Sequence, residues 1–291
     1  MMIIIAAFAL LFAGLAAAQP FRWSREQMIH FTPLNPFERF ADGRPKVPDA
    51  LLEKVKGLSV EEAWGILRGK GYNSQYAGSG FHVLHPGRKL VGRAVTAQYL
   101  PARPDLQQVL DADSKAAGMP DSLNQKVIDL LTLNDVPVVD LMGVAPGHNF
   151  GGDNLHAAIY GVTKTGAVVD GTVRDIEGLA EMETQVYYRD GHPAAVGGVV
   201  VIGINIPVKI GEAIVMPGDI VLGDRTGLIF IPPQLVQEIV DRAELTHIHD
   251  EWTKAKFATG KYKSSELYPS PKSPELKKEY DDYVKQKLGK K

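Results

Sequence analysis

Gly151-Gly152-Asp153-Asn154-Leu155, a helical stretch, and then Gly166-Ala167-Val168-Val169-Asp170-Gly171-Thr172-Val173-Arg174-Asp175 are the residues whose reading decides the fold. Residues 154 to 164 carry apolar side chains at helical spacing, and Ala167 to Asp170 form a short apolar run suited to a buried strand. Two turns therefore bracket one helix and one strand. Outward from this unit, strands are predicted over Lys89 to Leu100, Val136 to Val144, Val199 to Ile210, Ile220 to Leu222 and Leu228 to Ile231. Helices are predicted over Ser122 to Leu133, Asp175 to Glu183 and Gln234 to Phe257. A further helix starts at Ser59, an N-cap with Glu62 as its capping-box partner, carries Val60, Ala63, Trp64 and Leu67, and ends near Gly69-Lys70-Gly71. Strands alternating with helices argue for an α/β fold with a mixed sheet.

The ends of the chain read differently. Met1 to Ala18 is uncharged and apolar, with Ala16 and Ala18 where a small-x-small cleavage site needs small side chains. It is expected to be a signal peptide cleaved near Ala18, giving an exported product, periplasmic or extracellular. Association with a membrane is expected only if this segment stays uncleaved. Residues 19–58 form a Pro- and aromatic-rich N-terminal stretch, expected to be an extended arm packed along the domain surface or a neighbouring subunit. Residues 59–260 are the expected main α/β domain, and residues 261–291 a Lys-rich, solvated, partly helical extension.

Composition limits the partners. The 291 residues are 45% hydrophobic and 23% charged, which is ample for a globular core. A formal net charge of -2 gives no electrostatic case for nucleic acid. With no cysteine, neither a disulfide framework nor a lipobox cysteine is available. Asp219 and Asp224 sit in Pro-Gly-Asp and Asp-x-x-Gly contexts and are read as turn residues.

Chemistry concentrates in the opening segment. Paired glycines before a helix free backbone N–H groups to face an anion, and the helix N-terminus adds partial positive charge. Arg174 offers a bidentate carboxylate fork beside Asp175, a hard oxygen ligand, a combination able to hold a 2-oxo acid on a divalent metal. The same residues also allow a plainer arrangement, in which Asp175 caps a helix and Arg174 pairs with Asp170 or Asp153. No lysine lies beside the segment except Lys164, so a Schiff base has no obvious donor. His148 is placed to touch a ligand or to support the loop, whereas His247 and His249, two apart on a helix, face nearly opposite ways.

Asp153 and Arg174-Asp175, with residues 154 to 173 between them, resemble the Asp-x20-Arg-Asp signature of the RraA-like family, which includes hydroxymethyl-oxoglutarate aldolases. Leu90-Val91-Gly92-Arg93-Ala94-Val95-Thr96 and Met216 to Pro232 agree with it in order and spacing. The resemblance implies a β/α sandwich like a swivelling phosphohistidine domain, assembled as a homotrimer or hexamer with sites between subunits. It implies a lyase, dependent on Mg or Mn, that cleaves 4-hydroxy-2-oxo acids to pyruvate or decarboxylates oxaloacetate. Residue by residue, Asp175 would bind metal, Arg174 would hold the pyruvate moiety, and Asp153 would orient a water on the metal. Gly151, Gly152, Asn154 and the Leu155 amide would seat the substrate carboxylate. Glu251 is the expected further acid, presented by a neighbouring subunit. The alternatives are a non-enzymatic protein-binding regulator and an exported carboxylate-binding protein.

Overall fold

The computed structural model describes residues 22–143 and 149–289; the signal-peptide expectation for Met1 to Ala18 and the reading of His148 lie outside them. Three helices come first: α1 (Arg25–Phe31), α2 (Asp49–Val55) and α3 (Val60–Gly69). Strands β1 (Tyr76–Ala77), β2 (His82–Val83) and β3 (Leu90–Pro101) lead to α4 (Pro104–Ala116), α5 (Gln125–Ile128) and β4 (Asp135–Asp140). The central unit is α6 (Asp153–Thr163), β5 (Gly166–Val173), α7 (Ile176–Ala180) and β6 (Gln185–Gly191). Strands β7 (Val199–Ile204), β8 (Val208–Ile210), β9 (Ala213–Val215), β10 (Ile220–Asp224) and β11 (Gly227–Ile231) follow. The chain closes with α8 (Pro233–Ala258), α9 (Ser264–Leu267) and α10 (Pro274–Leu288).

The main sheet runs β1-β11-β10-β3-β4-β5-β6-β2, with β7 also paired to β3. Strands β3, β4, β5 and β6 are mutually parallel and the remaining pairings are antiparallel, as the mixed-sheet reading expects. Every residue of β5 is buried, which suits its Ala167-Val168-Val169 run: both faces are covered. One face of the sheet packs Val95, Val139 and Val169 against Val127, Ile159 and Leu179 from the helices. The other face, with Val138, Val168 and Tyr187, meets Val208 and Ile210 of the small β8–β9 hairpin. A third cluster joins α2, α3 and α8 to β10 and β11 through Leu52, Val55, Leu67, Ile229, Ile231 and Ile239.

Several expectations need correction. The described part of the expected arm, residues 22–58, is not simply extended: Ser24 and Gln27 make a capping box for α1, and α2 buries Leu51, Leu52 and Val55 in the third cluster. Arg44 reaches under the sheet to clasp Asp135 with two hydrogen bonds of 2.7 and 3.1 Å, and both side chains are buried. The helix expected over Ser122 to Leu133 shrinks to α5, because Asn124 bonds Gln125 N–H and the Phe150 carbonyl while Asp135 takes the Thr132 N–H. That expected over Asp175 to Glu183 shrinks to α7. The run Val199 to Ile210 is two strands, not one. The helix from Ser59 has its full capping box, with Ser59 accepting from Glu62 N–H and Glu62 accepting from Ser59 N–H. As read, Asp219 and Asp224 serve turns, accepting N–H bonds from Met216 and Thr226. Residues 261–289 are partly helical, with α10 resting on α8 and burying no residue. Among the described residues no helix is long and apolar enough to cross a membrane.

Candidate functional site

Parallel strands deliver their C-terminal ends to one rim of a sheet, where loops can carry chemistry without disturbing the core. At the end of β5 the chain passes from buried Val173 to Arg174 and Asp175. The loop before α6 is stitched to that end: Phe150 N–H donates to the Thr172 carbonyl at 3.0 Å, and Arg174 N–H donates to the Gly151 carbonyl at 3.2 Å. The two ends of the Asp-x20-Arg-Asp spacing therefore meet through backbone hydrogen bonds, because one helix and one strand bring the chain back to its starting edge.

Gly152 is the pivot of this corner. A Cβ built on it would overlap Oδ2 of Asp175 and come within 3.0 Å of Arg174 Cγ, so only a residue without a side chain lets that carboxylate lie there. Asp175 holds a left-handed backbone, φ 56° and ψ 43°, which an Asp tolerates better than most residues. It occupies the N-cap position of α7 but makes no side-chain cap bond. Its carboxylate is 3.4 Å from Arg174 Nε, and roughly half of each side chain is exposed. Of the plainer arrangement the helix-cap position is kept but not the cap bond or the pairing: Arg174 lies against Asp175, while Asp170 pairs with Arg189 at 2.6 Å and accepts the Gly211 N–H.

Asp153 opens α6 and lies next to α7. Its Oδ1 accepts the Asn154 N–H at 2.7 Å, and a Cβ on Gly178 would sit 2.9 Å from its Oδ2. Gly152, the N-cap, offers no side-chain cap, so the Leu155 amide in the first turn of α6 has no backbone acceptor within the helix; the Asn154 amide, expected to help seat a carboxylate, is instead taken by Asp153. Beside this corner lies a cleft of about 470 Å³ lined by Val173, Arg174, Asp175, Ile176, Gly191 and His192, among others. The largely apolar cavity of about 280 Å³ between Phe31, Tyr72 and Pro233 contains none of these residues.

The structure thus gathers Gly151, Gly152, Asp153, Asn154, Leu155, Arg174 and Asp175. It does not bring Glu251 to them within one chain: Glu251 lies on α8 in the layer over β10 and β11, paired with Lys287 at 2.6 Å. The Lys287 and Tyr283 hydrogen bonds hold its carboxyl below the usual range. His247 bonds Glu62 at 2.9 Å while His249 faces Tyr280, the divergence expected for that pair. Two histidines that carried no signal in the sequence adjoin the site. His192 lines the cleft, its carbonyl accepting from Asn149 Nδ2 and its Nδ1 from Ala194 N–H. His156 is wholly buried under Gly152.

A divalent cation such as Mg keeps several waters and needs only one or two carboxylates plus substrate oxygens. Among the described residues no three His, Asp or Glu side chains form a metal cage. The donor set nonetheless fits this open regime, because Asp175 presents a half-exposed hard oxygen ligand at the cleft with an anion-binding fork beside it.

A model of the RraA-like family, described as Aldolase/RraA, matches residues 47–230. Protein DlpA of Legionella pneumophila is 28% identical over 182 residues, 61% of this chain and 27% of that protein. A Halalkalibacterium halodurans protein named as a 4-hydroxy-4-methyl-2-oxoglutarate aldolase is 30% identical over 97 residues, 32% of this chain and 46% of that protein. In both, the match spans less than half of the relative's length. A Streptomyces coelicolor crystal structure, described as an unusual member of the RNase ES inhibitor RraA protein family, superposes with a TM-score of 0.62 at 26% identity. It covers 72% of this chain and 100% of that one.

Proposed function

Because this chain belongs to the RraA-like family, we propose that it is a divalent-metal-dependent carbon–carbon lyase, releasing pyruvate from 4-hydroxy-2-oxo acids and decarboxylating oxaloacetate. The observation that carries the reading is Gly152 lying flush against the Asp175 carboxylate, which sets a metal ligand, an arginine fork and a helix N-terminus around one point. The aldolase name of a relative 30% identical over 97 residues supports the reaction class.

Asp175 would hold the Mg or Mn ion, which when bound would supply a Lewis acid to the 2-oxo oxygen of the substrate. Arg174 grips the 2-oxo carboxylate with its planar fork and adds positive charge where the electron pair arrives. The Leu155 amide in the first turn of α6 seats the same carboxylate, with Gly151 and Gly152 keeping the backbone close. Asp153 polarises the water that accepts the C4 hydroxyl proton. Glu251 would contribute from a second copy of the chain, in a trimer or pair of trimers, and would have to release its own chain's Lys287 to do so. Loss of CO2 from oxaloacetate sends its electron pair to the same oxygen, so one site serves both reactions.

The test is pyruvate release from a panel of 4-hydroxy-2-oxo acids and from oxaloacetate, with and without Mg or Mn. Metal-dependent release is expected. Release from none of them at saturating metal overturns the lyase reading in favour of a regulator or carboxylate-binding protein.

A further inference from the structure

His156 lies within the first turns of α6 with no exposed surface. Its Nδ1 is 2.9 Å from the Gly152 carbonyl oxygen, which also accepts the His156 backbone N–H at 3.1 Å. A carbonyl can only accept, so Nδ1 carries the proton and Nε2 is the bare nitrogen. That Nε2 is buried and has no partner among the described residues. Burial holds the ring's pKa below its ordinary value, in keeping with a neutral imidazole. Phe150 meets the ring edge-on at 6.4 Å, in a wall that belongs to the main core cluster. An apolar side chain of similar size would suit such a place better for folding alone, because a buried nitrogen without a partner costs stability.

The cost has a counterpart at the cleft. Gly152, the residue tethered by His156, is the one against which Asp175 and Arg174 rest. We infer that His156 is a positioning residue: its Nδ1–H anchors the Gly152 carbonyl, fixes the glycine turn, and so sets the places of Asp175 and Arg174. The functional consequence rests on the lyase reading, whereas the tether itself does not.

The test compares the full-length protein with His156→Leu, which fills the space without a donor, and His156→Asn, whose Nδ2 falls where Nδ1 lies. Two readouts are taken: hydrogen exchange of the Phe150 and Arg174 amides, whose bonds to Thr172 and Gly151 hold this corner, and calorimetric binding of oxalate, a planar dicarboxylate that can chelate a metal, with Mg present. The Leu variant should exchange about tenfold faster there and bind oxalate about tenfold more weakly, the loss of one ordinary hydrogen bond. Its thermal midpoint should equal or exceed the parent's, and the Asn variant should restore both readouts. Unchanged exchange and affinity in the Leu variant would overturn the inference. So would a drop in thermal midpoint common to both variants with no change in exchange or affinity, the mark of a merely structural histidine. If the parent itself binds no oxalate with Mg or Mn, the lyase reading fails, and the exchange comparison still decides whether the tether exists.

Discussion

Replacing Gly152 with alanine adds one methyl group at the place where Asp175 rests. The backbone would not object, since φ -106° and ψ -162° lie in extended space open to any residue. The obstacle is the neighbour: the new Cβ would overlap Asp175 Oδ2 and stand 3.0 Å from Arg174 Cγ. With 47% of its side chain exposed, Asp175 can swing into solvent, so folding stability should fall by only about 1 kcal/mol. To regain ordinary van der Waals separation the carboxylate must withdraw by about 1 Å or more. A misplacement of that size is worth roughly 100-fold in rate, or about 2.7 kcal/mol in kcat/KM. The assay is pyruvate formation at saturating Mg, run beside urea unfolding of the same protein. A Gly152→Ala enzyme with kcat/KM within about twofold of the parent would refute the reasoning, as the methyl group would then have displaced nothing that matters.

Asp175→Asn keeps shape but loses the charge that holds a hard cation, so metal-dependent turnover should vanish with the fold intact; undiminished Mg affinity on calorimetric titration would move the metal elsewhere. Arg174→Lys should lower kcat and raise KM, for a loss of about 2 to 4 kcal/mol in transition-state stabilisation with little change in metal affinity. Near-normal steady-state constants would reduce Arg174 to an ion-pair partner. Burial pushes the Asp219 carboxyl up to about 7, so the folded protein keeps a proton that the unfolded chain loses above an ordinary value of 3.8. Its contribution is therefore complete at low pH and is lost as pH rises towards 7. Asp219→Asn can still accept the Met216 N–H, and its stability advantage over the parent should grow between pH 4 and pH 7 in urea titrations; a shrinking gap would contradict the shift. Arg44→Met strands the buried Asp135 carboxylate and should cost about 3 to 5 kcal/mol, whereas a midpoint shift equivalent to under about 1 kcal/mol would show that pair to be dispensable.

The site was legible where chemistry and spacing are local. One helix and one strand between Asp153 and Arg174 return the chain to its starting edge, and an apolar run closing on Arg-Asp can only mean a buried strand reaching a charged rim. Strand β6 escaped notice because Gln185, Arg189 and Asp190 interrupt its apolar pattern. Only the folded sheet shows that Gln185 is satisfied by the His85 and Arg88 carbonyls and Arg189 by Asp170. Helix α2 was hidden for a similar reason, since Pro45 and Pro48 suggest extended chain while Leu51, Leu52 and Val55 find their core in α8 and β11, far along the sequence. His156 gave no sign because a lone histidine on a helix looks like any other buried residue until its acceptor is known. Glu251 illustrates the opposite limit: helical spacing placed it on α8, but nothing in one chain's order of residues fixes what a second copy presents.

Whether Asp175 holds a metal against a substrate gripped by Arg174 is decided by diffraction from crystals grown with Mn and oxalate, using the anomalous signal of the metal. The expected result is a Mn peak bonded to the Asp175 carboxylate at about 2.0 to 2.3 Å, with oxalate chelating it and reaching the Arg174 guanidinium and the Leu155 amide in the first turn of α6. A Mn peak away from Asp175, or oxalate bound without contact to Arg174, would contradict it.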